Sequence, residues 1–138
     1  MERMAISVRQ PWAWAILHAG KDVENRSRAG PFRRAVGQRV LIHASRTLRR
    51  ADVEAAIAYL WERHGIGCPP IYALPRGGVI GEVTVDRIVD RHESPWFAGP
   101  VALVLSDPQP LPFVAVKGAL GLFAARWASF PADLAVPA

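Results

Sequence analysis

At 138 residues, 51% hydrophobic and 21% charged, the chain has the length and balance of one globular domain with a single core. No apolar run approaches the roughly 18 residues of a membrane span, and the opening MERMAIS lacks the apolar centre of a signal peptide. The single Cys68 cannot form an internal disulfide, so a cytoplasmic location and no membrane partner are expected, while the net charge of +5 favours partners that carry phosphate.

In chain order, MAISV predicts a strand in which Ile6 and Val8 alternate with polar neighbours. A helix follows, with Pro11 at its first position, Trp12, Ala15, Ile16 and Ala19 on one face, and Gly20 at its end. KDVENRS predicts a second strand, with Val23 and Asn25 on one side and Glu24 and Arg26 on the other. AGPFRRAVGQ is a loop by its glycines and proline, and RVLIHAS is a short buried strand. The longest helix runs through LRRADVEAAIAYLWERHG, with Thr47 as N-cap, Gly65 as terminator and a buried face of Val53, Ile57, Leu60 and Trp61. After the connection GIGCPPIYALPRGG, the strand VIGEVTVDRIVD sets Ile80, Glu82, Thr84, Asp86 and Ile88 on one face. RHESPWFAGP is a loop, VALVLSDPQPL a buried strand that ends in proline turns, and FVAVKGALGLF a last strand or pair. Five to seven short strands with two helices inserted between them predict an α+β fold, a small, mainly antiparallel mixed barrel. One domain is expected over residues 1–130, followed by a frayed tail at 131–138.

The charge is unevenly distributed. Between Asn25 and Ala51 stand eight arginines (26, 28, 33, 34, 39, 46, 49 and 50) and no acid. Such a stripe is the footprint of contact with a phosphate backbone. Phosphate-loop and dinucleotide fingerprints are absent, as is a nucleophile elbow. The four histidines have no metal-ligand spacing, so neither a metal nor a cofactor is expected. His18 and His64 suit helix C-termini, while His43 ends a strand beside the arginine segment and is the better site candidate.

The densest chemistry lies in AGKDVENRSR, where Lys21, Glu24 and Arg26 fall within six residues. The run G-x-K-x-x-E-x-R resembles the hallmark of the ASCH domain family, with Ala19 in place of the first glycine and Gly20 beside it. S-x-R-Q-P-W, G-x-x-V-L-I-H-A-S, G-V-I-G-E-V and V-K-G-A-L-G-L-F extend the resemblance along nearly the whole chain. It implies a PUA-like barrel with a cleft lined by the motif, in a group of folds whose members bind RNA or hold a flipped or modified base.

The expected function is therefore binding of a nucleic acid, single-stranded RNA foremost, or of a modified nucleoside. Glu24 would accept from an exocyclic amine, Lys21 or Arg26 would hold a phosphate or carbonyl oxygen, and Trp12 would stack on a base. Arg9, Gln10, Asn25, Arg28, Arg33, Arg34, His43, Ser45 and Arg46 complete the candidate surface, and Lys117 would close the opposite wall. The alternative is a hydrolase. The family includes amidohydrolases acting on N4-acetylated cytidine through Lys, Thr and Glu, and also reported ribonucleases. Here Glu24 stands at the threonine's place, so Lys21 and Glu24, with Glu82 as a second carboxylate, would be the catalytic candidates.

Overall fold

The computed structural model describes residues 2–126, so the expected tail at 131–138 lies outside the described residues. Six strands form one mixed sheet: β1 (Glu2–Val8), β2 (Val23–Arg26), β3 (Arg39–Ala44), β4 (Gly78–Val89), β5 (Val101–Ala115) and β6 (Leu122–Arg126). Their order is β2-β5-β4-β3-β1-β6; β1 and β3 run parallel and every other neighbour pair is antiparallel. The sheet curls into a half-barrel. Its curvature brings Arg26 on the edge strand β2 to the backbone of β1, with three strands between them in hydrogen-bonding order, where Nη2 donates to the Ser7 carbonyl at 2.7 Å. The fold is α+β and barrel-like, as the strand and helix pattern predicts.

Alternation along the strands creates two apolar faces. Ile6, Val8, Val40, Ile42 and Ala44 meet Leu103 and Leu105 in the main core, beneath α1 (Trp12–His18) and the 3-10 helix Gly30–Ala35. Ala5, Leu41 and Val79 point the other way, into a smaller cluster with Val116 and Ala125. The predicted single face of β4 is corrected here. Register shifts against β5 reverse the alternation twice, so Ile80, Val83, Val85 and Ile88 all reach the main core.

Other boundaries also move. The segment read as a loop after β2 contains the 3-10 helix, with Phe32 and Ala35 buried. Pro11 sits at the N-cap of α1, one position before the first helical residue. Helix α2 (Arg50–His64) starts after an N-cap at Arg49 instead of Thr47, whose amide is taken by the Ser45 hydroxyl in a local turn. Its buried residues are Val53, Ala56 and Leu60; Trp61 is 66% exposed because the helix turns that position to solvent. Gly65 does end the helix, in the left-handed region at φ 65°, with Ile66 N donating to Leu60 O.

The proline-rich run after Leu105 continues β5 and does not end it. Only Ala102–Val104 lie in register between β2 and β4; beyond Val104 β4 is the sole strand partner, and a proline's missing N–H costs nothing on the free side. The last predicted strand divides: Phe113–Ala115 finish β5, and Leu122–Phe123 belong to β6. Among the described residues, no helix is long and apolar enough to cross a membrane.

Candidate functional site

Strand β2 presents its two sides as the alternation requires. Val23 packs with Ala102 and Val104, and Asn25 on the same side holds the loop between β4 and β5. Asn25 Nδ2 donates to Trp96 O at 3.0 Å, while Oδ1 accepts from the amides of Ala98 and Gly99. The amide of Asn25 is thus spent on loop anchoring.

On the opposite side, Glu24 joins the two cations of the motif. Lys21 Nζ donates to Glu24 Oε1 and Arg26 Nη2 to Glu24 Oε2, both at 2.9 Å. Lys21 also donates to the Val23 carbonyl, and Arg26 to that of Ser7. Lys21 is 4% exposed and Glu24 7%. Buried charges persist only when paired and hydrogen-bonded, and here one carboxylate serves both cations. Phe32 lies under the Arg26 guanidinium at 4.9 Å, and the half-buried Trp12 ring lies 5.9 Å from Lys21 Nζ. Trp12 meets Tyr59 of α2 edge to face, and further along α2 His64 stacks flat on Trp96. The cavity that Lys21 lines, with Ile16, Gly20, Asp22, Leu105 and Pro108, measures about 180 Å³.

A larger concavity lies elsewhere. It has a volume of about 730 Å³, and its floor is the β1–β3 pair, where Ser7 stands opposite His43 in register. Ser45, Arg46 and Thr47 wall one side, and residues 115–120, including Lys117 and Gly118, wall the other. None of its twelve lining residues is a carboxylate. His43, 2% exposed, fixes the second wall: its Nε2–H donates to Val116 O at 2.6 Å, and Phe123 meets the ring edge-on. Gly118 packs directly on the imidazole; a Cβ there would come within 2.5 Å of Cε1.

The candidate residues therefore divide into groups. Trp12, Lys21, Glu24 and Arg26 form the buried cluster, whereas His43, Ser45, Arg46 and Lys117 line the large pocket. Lys117 lines the same pocket as Arg46, not the cavity that Lys21 lines. Arg28, Arg33 and Arg34 are exposed, the last two on the 3-10 helix whose Phe32 abuts Gly121 at the end of the Lys117 loop. Arg9 is exposed. Gln10 is buried, with Oε1 accepting from Trp14 N and Nε2 donating to Pro75 O. Glu82 is bound by Arg3 at 3.0 Å and Arg39 at 3.4 Å. It lies apart from Glu24, which registers through Leu103 with Ile88, six positions along β4 and roughly 20 Å by strand rise. Ser7, Thr47 and Gly118 are pocket residues that sequence reasoning missed. The outward phase of Ser7 between Ile6 and Val8 was the available signal for the first.

The model of the ASCH domain matches residues 6–100, which include both the β2 triplet and the β3 end of the pocket. The chain belongs to the ASCH domain family. Comparison with curated proteins gives no match. The second pocket wall, residues 115–120, falls beyond the matched segment of this ASCH protein. Among its described residues, no three His, Cys, Asp or Glu side chains are grouped as metal ligands would be.

Proposed function

We propose that this ASCH protein binds single-stranded nucleic acid, RNA foremost, with one nucleotide in the large pocket and the arginine surface on the backbone. The observation that carries this reading is the pocket's lining: Arg46 and Lys117 face a space of about 730 Å³ with three hydroxyl residues and no carboxylate. That volume falls in the range of small-ligand sites, whereas about 180 Å³ beside Lys21 falls below it. Among the described residues, Arg28, Arg33, Arg34 and Arg46 have no ion-pair partner, so their charge is available to phosphates. Arg49 and Arg50 are also exposed but pair along α2 with Asp52 and Glu54.

The buried triplet supports the site from behind. By holding Ser7 O, Arg26 ties β2 to the strand that forms the pocket floor. Fluorescence anisotropy with labelled single-stranded RNA and DNA at low salt tests the reading. Binding is expected, and Arg46→Ala with Lys117→Ala is expected to weaken it at least tenfold. Absence of binding to either strand at low salt, or an unchanged affinity in the double variant, overturns it.

A further inference from the structure

We infer that the large pocket is a phosphate-monoester site, which takes the terminal phosphate of a strand or the phosphate of a free nucleotide. This inference rests on the pocket reading above and specifies its ligand. A monoester carries about −1.5 to −2 charges near neutral pH and three acceptor oxygens, whereas an internal phosphodiester carries one charge. The pocket supplies two cations, Arg46 and Lys117, with the hydroxyl side chains of Ser45 and Thr47 beside them, and no lining carboxylate opposes an anion.

Its shape fits the end of a ligand. The floor is a continuous pair of hydrogen-bonded strands, β1 and β3, which closes the pocket beneath a ligand. The backbone that carries Lys117 is fixed in advance of binding, and Arg46 already lies at the pocket's edge. The Arg46 guanidinium lies across Gly77, within 3.2 Å of where a Cβ would stand. The Lys117 loop is pinned on both sides: Val116 N donates to Gly77 O, Val116 O accepts from His43, Gly118 sits on the imidazole, and Gly121 O accepts from Ser7 N. Groups fixed before binding lose less freedom when the ligand arrives. His43 is thus a positioning residue, acting through the loop that carries Lys117.

The test compares one oligonucleotide sequence with 5′-phosphate, 3′-phosphate and hydroxyl ends, and titrates a nucleoside monophosphate against its nucleoside. At least tenfold tighter binding of one phosphorylated end, or of the monophosphate over the nucleoside, is expected; which of the two occurs identifies the source of the phosphate. Lys117→Ala, at an exposed position, should abolish that preference while leaving thermal unfolding unchanged. Gly118→Ala should reduce it by moving Lys117. Equal affinity for all ends and for both small molecules overturns the monoester site, even if strands bind. Binding of the monophosphate without any binding of strands would instead overturn the nucleic-acid reading and keep the monoester site.

Discussion

At the β2 triplet two cations share one buried carboxylate; at the large pocket two cations share none. The first arrangement is electrostatically closed. Glu24 spends both oxygens on Lys21 and Arg26, whose remaining bonds go to backbone carbonyls of Val23 and Ser7. The second is open, because Arg46 and Lys117 line a concavity with no carboxylate, and each comes from a segment of the chain that lacks acids. The difference teaches that density of charge in sequence does not identify a binding surface. What matters is whether the protein itself supplies the counter-charge.

The largest expected effect breaks the closed side. In Glu24→Gln the two cations stay in place without their shared anion, and removing one partner of a buried ion pair costs about 3–5 kcal/mol. Equilibrium urea unfolding should show that loss. Arg46→Ala and Lys117→Ala, at exposed positions, should each stay within about 0.5 kcal/mol of the wild type. A Glu24→Gln protein that unfolds at the wild-type midpoint would show that the triplet is not a structural network, and would return it to the list of ligand-binding groups.

A second experiment sharpens the open side. If about four arginines and lysines contact phosphates, the affinity for single strands should fall roughly 50-fold between 50 and 200 mM salt, by the counterion slope of about −0.7 per contact. Arg33→Ala should make the slope shallower by about 0.7, and Lys21→Met should leave it unchanged, since Lys21 already has its anion. An identical slope in Arg33→Ala would remove the 3-10 helix from the interface.

Much of this division was legible in the sequence. Alternation in KDVENRS correctly puts Glu24 and Arg26 on one side and Asn25 on the other; of the eight arginines in the acid-free segment, Arg26, Arg39, Arg49 and Arg50 are ion-paired, and Arg28, Arg33, Arg34 and Arg46 have no ion-pair partner among the described residues. The pocket was not legible, because it is assembled by pairing distant segments. Ser7 meets His43 only through the parallel β1–β3 register, and Lys117 reaches that floor only because β5 runs on through three prolines before the chain turns back. Local patterning also cannot reveal the β4 bulges, which reverse the face of Glu82's neighbours and separate it from the core side that holds Glu24. The helix start at Arg49 escaped for a related reason: the Thr47 amide donates to the Ser45 hydroxyl in a turn that bounds the pocket.

The smallest expected effect tests how far the open site's positive potential extends. Cys68 lies in the connection between α2 and β4, partly buried, and that burial pushes its thiol pKa up, since desolvation disfavours the thiolate. A cation nearby would act in the opposite direction, lowering the pKa and making the sulfur reactive. Alkylation with iodoacetamide near pH 7.5 should therefore be several-fold slower in the folded protein than in urea, and it should not change in Arg46→Ala. Faster reaction in the folded state, slowed by Arg46→Ala, would mean that the pocket's field reaches the connection, and the boundary drawn between the open site and its surroundings would have to move.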